Sequence, residues 1–163
     1  MRVLGIDPGL NITGYGILDS ENQRIGLIEA GVVRTNAALS MAERLNEIAG
    51  EIDGIIEQFR PDAMAIEELY SHYQHPRTAI IMGHARGVVF AGAARAGIPV
   101  FPYAATRVKK SLTGNGRASK KQVQLMIRST LGLTNIPEPA DAADALAIAL
   151  CHCRSLRPEV SLP

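Results

Sequence analysis

Two short apolar runs, each ending on an acid, constrain this chain more than anything else in it. Arg2–Asp7 (RVLGID) and Ala63–Glu67 (AMAIE) are too short for helices and almost continuously apolar, the pattern of buried strands. Buried strands need helices packed over them. Both acids would then project from the carboxyl edge of one sheet, where α/β folds place their sites.

The remaining elements fall around these two. Pro8-Gly9 turns the chain after the first strand, and Thr13–Asp19 and Arg24–Thr35 read as two further strands joined through the turn Ser20–Gln23. Ser40–Phe59 is a helix. Ser40 and Glu43 form a capping box, and Leu45, Ile48, Ile52, Ile55, Ile56 and Phe59 form its apolar stripe. Pro61 stops it. Thr78–Ala96 is a helix rich in glycine and alanine, Ile98–Phe101 a short strand, Gln122–Leu131 a helix behind a basic loop, and Asp141–Cys153 the last helix. The expectation is one α/β domain over residues 1–163: a mixed five-stranded sheet with helices on both faces, ending in a short flexible tail.

A net charge of +1 hides a strong segregation. No Asp or Glu occurs from Leu69 through Pro137, and every lysine lies between Lys109 and Lys121. Within Thr106–Lys121, the residues Arg107, Lys109, Lys110, Arg117, Lys120 and Lys121 alternate with Gly114 and Gly116, and Arg77 lies upstream. Such a surface suits a polyanion and gives salt-sensitive, sequence-independent affinity. The opening MRVLGIDPGL lacks a signal-peptide apolar stretch and no run approaches membrane-spanning length, so a cytoplasmic protein is expected. Cys151 and Cys153 flank His152 on a helix, with no second Cys/His pair to complete a zinc site, and read as reduced structural thiols.

Four acids stand out by position: Asp7, Glu67, Asp141 and Asp144. Asp141 and Asp144 are three apart on an almost wholly apolar helix, hence on one face. Three of them have a plainer explanation, whereas Asp144, one turn inside an apolar helix, is harder to explain that way. Asp141 could be a helix N-cap, Asp7 could open an Asx turn with Pro8-Gly9, and Glu67 could be a solvated edge residue. Gathered together, they suit phosphodiester hydrolysis, in which two Mg²⁺ ions about 4 Å apart serve the attacking and leaving oxygens. Hard carboxylate oxygens hold Mg²⁺ and leave water positions open.

Further motifs join these acids in order along the chain: Gly5-Ile6-Asp7-Pro8-Gly9, Thr13-Gly14-Tyr15-Gly16, Ala65-Ile66-Glu67, Ala85-Arg86-Gly87, Tyr103-Ala104-Ala105 and Asp141-Ala142-Ala143-Asp144-Ala145-Leu146-Ala147. The set resembles the RuvC family of bacterial Holliday-junction resolvases. The resemblance implies an RNase H-like fold and a homodimer that nicks a four-way junction symmetrically, leaving 5′-phosphate and 3′-hydroxyl ends. It also implies Mg²⁺, with Mn²⁺ as a substitute, and the branch-migration proteins RuvA and RuvB as partners. It carries the catalytic and metal-binding roles onto Asp7, Glu67, Asp141 and Asp144. Tyr70 falls where the family has a base-stacking aromatic, and Lys109 and Lys120 fall on basic residues near the scissile strand. Two departures stand out. Glu68 adds a second acid beside Glu67, which strand alternation would point the other way. The loop Ser71–Arg77 (SHYQHPR) is unusually rich in histidine.

Two other readings stay open on the sequence. One is a nucleotide-binding enzyme of the actin-like or sugar-kinase group, suggested by Asp7-Pro8-Gly9 and a Gly14/Gly16 loop. The other is a junction-binding protein without catalysis.

Overall fold

A computed structural model describes residues 1–22, 24–69 and 76–156. Its elements run β1 (Arg2–Asp7), β2 (Ile12–Glu21), β3 (Arg24–Arg34), α1 (Met41–Phe59), β4 (Ala63–Glu67), α2 (Pro76–Arg95), β5 (Val100–Tyr103), α3 (Ala105–Thr113), α4 (Lys120–Leu131) and α5 (Ala140–Ser155). The sheet is five-stranded in the order β3-β2-β1-β4-β5. β2 runs antiparallel to both β1 and β3, whereas β4 is parallel to β1 and to β5. This is the expected mixed sheet.

Its two faces are both covered. Leu4, Ile6, Ile17, Met64 and Ile66 pack against Ile48, Ile52, Ile55 and Ile56 of α1 and Ala85, Val89 and Ala93 of α2. On the opposite face Val3, Leu18 and Ala65 meet α5, with Val108 and Leu112 of α3 and Val123 and Ile127 of α4 closing that layer. β1 and β4 contribute to both layers because successive side chains alternate across a strand.

Local chemistry accounts for most boundaries. α1 starts at Ser40, whose side chain accepts from the Glu43 N–H while Glu43 reaches back to the Ser40 backbone. It ends at Arg60 in the left-handed region, φ 47°, just before Pro61. Several elements differ from the sequence reading, β2, α2 and α5 by one or two residues at their ends. The basic stretch read as a loop contains α3, closed by Gly114 at φ 78°, and only a short turn separates it from α4. α4 begins at Lys120 because Ser119 and Gln122 form a second capping box. β5 lies two residues later than expected, at Val100–Tyr103 instead of Ile98–Phe101. The short tail expected at the end of the chain lies outside the described residues.

The last helix sits unusually close to the sheet. A Cβ on Gly5 would lie 2.2 Å from the Ala145 main-chain oxygen, and one on Gly14 would lie 2.0 Å from that of Asp141. A Cβ on Gly16 would meet the Leu146 side chain at 2.6 Å. Bare backbone on β1 and β2 thus forms a trough for α5, whose own alanines keep the helix slim. Gly14 and Gly16 therefore lie within β2 and serve packing. They are not a phosphate loop, which removes that support for a nucleotide-binding site.

Candidate active site

Asp7 and Glu67 leave the carboxyl ends of adjacent parallel strands, whose register pairs Ile6 with Ile66. Asp7 is paired in turn with Gly14 on β2, the residue over which the Asp141 backbone lies. The trough therefore delivers the first turn of α5, and with it Asp141 and Asp144, to the edge occupied by Asp7. Asp141 is not the helix cap. Pro139 holds that position without a side-chain hydrogen bond, and Asp141 sits inside the first turn. Nor does Asp7 serve the following turn as an Asx residue: Thr13 Oγ1 donates to the Gly9 oxygen at 2.7 Å and accepts from its N–H.

Burial and neighbouring charge shift two of these carboxylates. Asp7 is pushed up to about 7, first by burial and then by the charges of Asp144, Glu67 and Asp141, with Lys120 opposing. Glu67 is also raised, first by burial and then by Asp144, against the pull of Lys109 and Arg86. Lys120 donates to Asp144 Oδ2 at 2.8 Å, and this bond, with the surrounding acids, holds its ammonium above the usual lysine range.

Two clefts meet at Glu67. The larger, about 690 Å³, runs from Asp7 and Glu67 past Leu69, Thr78 and Met82 to Thr106. The smaller, about 240 Å³, holds Glu67 and Asp144 together with Lys109 and Lys120. Glu68 also lines the larger cleft. Strand alternation does not turn it away, because it lies one residue past the end of β4.

Of the basic residues expected to meet a polyanion, Lys109 and Lys120 are brought to the acids. Arg77, Lys110, Arg117 and Lys121 are exposed, and exposed Arg107 stacks over the Tyr103 ring at 5.0 Å. Tyr70 and Ser71–His75 lie outside the described residues.

Sequence reasoning passed over Arg86 as a site residue. Its guanidinium donates to the Glu67 main-chain oxygen and lies 4.9 Å from the Phe90 ring, so α2 grips the end of β4 directly behind the acid. One signal was available: Arg86 is the sole Arg or Lys between Arg77 and Arg95 on an otherwise small and apolar helix. His152 proves structural. It is buried, its Nδ1 lies 2.7 Å from the Tyr103 hydroxyl, and its ring packs against Phe101 at 4.5 Å. Cys151 and Cys153 on either side are free and buried.

The donor set tests well against a hard divalent cation: all four groups are carboxylates, and their crowding leaves Asp7 hard to ionise until positive charge arrives. Among the described residues, no three His, Cys, Asp or Glu side chains are drawn together tightly enough to hold an ion as they stand. That is the arrangement mutual repulsion favours, with Asp144 turned to Lys120 for its counter-charge. No helix of the described residues is long and apolar enough to cross a membrane.

Comparison with known proteins agrees with this geometry. The family model described as crossover junction endodeoxyribonuclease RuvC matches residues 3–152. The crossover junction endodeoxyribonuclease RuvC of Rhodopirellula baltica is 53% identical over 149 residues, covering 91% of this chain and 84% of that protein. The structure of Thermus thermophilus RuvC superposes with a TM-score of 0.87 at 39% identity, covering 94% of each chain. The same protein in complex with a Holliday junction substrate gives 0.86 at 37% identity, again covering 94% of each. These matches place the chain in the RuvC family of crossover junction endodeoxyribonucleases.

Proposed function

We propose that this protein resolves four-way DNA junctions by hydrolysis at Asp7, Glu67, Asp141 and Asp144, acting as a single nuclease domain over residues 1–163. The observation that carries the reading is that β1, β4 and the first turn of α5 bring these carboxylates to one sheet edge, where Glu67 and Asp144 share a cleft with Lys109 and Lys120. The four acids would hold two Mg²⁺ ions, with Mn²⁺ as a substitute. Bound there, such ions neutralise charge on the scissile phosphate and make a nucleophile available from water near neutral pH. Water adds to phosphorus and the P–O3′ bond breaks, leaving a 5′-phosphate and a 3′-hydroxyl.

The chain's own residues position the substrate. Lys109 and Lys120 flank Glu67 and Asp144 in one cleft, where ammonium groups can hold the phosphate beside the acids. Arg77, Arg107, Lys110, Arg117 and Lys121 extend that positive surface over the junction arms. Tyr70 stacks on an unpaired junction base. Arg86 fixes the main chain behind Glu67.

Paired nicks need two sites, and α2 supports a homodimer. Its Ala85, Val89 and Ala93 face the core, while Gly83, Gly87, Ala91 and Ala94 are exposed and Ile80 is 61% exposed. A two-fold partner laid on that stripe would set two equivalent sites toward two equivalent strands. RuvA and RuvB, in the cytoplasm, are the partners that this role implies.

The test compares wild type and Asp7→Asn on a labelled synthetic four-way junction with Mg²⁺, beside a linear duplex. Wild type should nick opposing strands symmetrically and spare the duplex, while Asp7→Asn should bind the junction without cutting. Cutting by Asp7→Asn at the wild-type rate would overturn the site.

A further inference from the structure

A third cleft, about 560 Å³, opens beside the segment that leads into α5. Arg34 at the end of β3, Gln124 of α4 and the segment Ile136–Ala140 line it, so that it stops one residue before Asp141. Register fixes its relation to the acids. Asp7, Gly14 and Val32 stand in one row across the sheet, and Arg34 lies two residues beyond that row along β3, which runs parallel to β1. Arg34 therefore sits at the same sheet edge as Asp7, with only the end of β2 between them. Gln124 is one helical turn on from Lys120, the partner of Asp144, so one face of α4 runs from the acidic site to this cleft.

The lining is unlike that of a phosphate track. Ile136, Pro137 and Pro139 offer apolar walls, Gln124 offers both an amide donor and an acceptor, and Glu138 puts a carboxylate at the rim. A carboxylate repels a phosphate. A planar base fits apolar walls, and an amide can pair with its edge. Arg34 is exposed and has no ion-pair partner among the described residues, which leaves its guanidinium available to the phosphate of the same nucleotide.

We propose that this cleft takes the base of a nucleotide flanking the scissile phosphate, with Gln124 reading the base edge and Arg34 holding its phosphate, so that it sets the nucleotide preference of cleavage. The inference rests on the junction-cutting function proposed above and on the placement of its acids, and it adds a specificity site outside the basic stretch Thr106–Lys121. A good amide-to-base pair discriminates by about 5- to 150-fold, so Gln124 is the residue that distinguishes sequences. One phosphate contact contributes about 0.9 to the slope of log affinity against log salt, so Arg34 is the residue that supplies affinity.

The experiment uses the full chain and a panel of four-way junctions in which each nucleotide around the cut is varied in turn. Binding is measured without metal over a range of salt, and cutting with Mg²⁺. Arg34→Ala should weaken metal-free binding to every junction alike and lower the salt slope by about 0.9, with Arg34→Lys restoring most of that slope. Gln124→Ala should keep the slope and flatten a preference at one flanking position by at least fivefold. Thermal unfolding of each variant shows that it is folded. Variants that keep both the wild-type slope and the wild-type preference overturn the cleft as a base site. A wild type that neither binds nor cuts any junction overturns the proposed function instead, and the two failures are thereby told apart.

Discussion

Replacing Gly14 by alanine puts a Cβ 2.0 Å from the Asp141 main-chain oxygen, where ordinary contact begins at 3.4 Å. The obstacle is backbone on both sides, so no side chain can swing away. α5 must lift from β2 by about 1.4 Å, or the strand must bow by as much. Overpacking of this kind costs about 1–3 kcal/mol, and for a chain of this size each kcal/mol lowers the melting temperature by about 2–4 °C. Because the displaced turn carries Asp141 and Asp144, the loss of cutting should be larger than the loss of stability suggests. A misplacement of about 1 Å near reacting groups can remove about 10²-fold in rate. Junction binding should survive, since Arg107, Lys110, Arg117 and Lys121 are on other elements. The assay is single-turnover cutting of a four-way junction at a temperature well below the melting point, beside gel-shift binding. Gly26→Ala is the control, because a Cβ there meets nothing within 4 Å. Gly14→Ala cutting within twofold of wild type would refute the trough as the device that positions the acids.

Other outcomes follow from the same geometry. In metal-free protein Asp7 ionises at about 7, against 3.8 for an ordinary aspartate. Between those values the folded state keeps a proton that the unfolded chain has lost, so stability should fall as pH rises through that window and level off above it. Melting curves from about pH 5 to about pH 8 should show this decline for wild type and a flatter profile for Asp7→Asn. Added Mg²⁺ should raise the wild-type melting temperature at the upper end of that range and leave Asp7→Asn nearly unmoved. Lys120→Ala removes a half-exposed ion pair, so chemical denaturation should change by less than about 1 kcal/mol, while cutting should weaken and do so more at high salt. Tyr103→Phe strips the partner from His152 Nδ1 in the core and should cost about 1–3 kcal/mol by the same denaturation measurement.

The acids were legible in the sequence because their strands are. An apolar run ending abruptly on Asp7 or Glu67 can be read without neighbours, and the capping box at Ser40 and Glu43 announces its helix just as locally. α3 was not legible for a local reason too. Its core face consists of Val108 and Leu112 alone, set among lysines, an arginine and hydroxyl residues that composition assigns to a loop. The bond from Arg86 to the Glu67 backbone and the Arg34 cleft were beyond reach because each depends on how elements distant in sequence pack: nothing in the chain states that α2 reaches the end of β4, or that Ile136–Ala140 comes to rest beside Arg34. The packing role of Gly14 and Gly16 was hidden on the same ground, since a glycine in a strand reveals its purpose only when the helix above it is known.

The trough beneath α5 also governs when this protein becomes dangerous to DNA. Asp7 is synthesised long before Asp144, and only the docking of α5 on Gly5, Gly14 and Gly16 brings the two together. A nascent or partly unfolded chain already carries the basic residues of α3 and the start of α4, and can hold nucleic acid, but its carboxylates remain scattered. Assembly of the nuclease thus coincides with completion of the fold, and a chain that loses its last helix loses its blade before its grip.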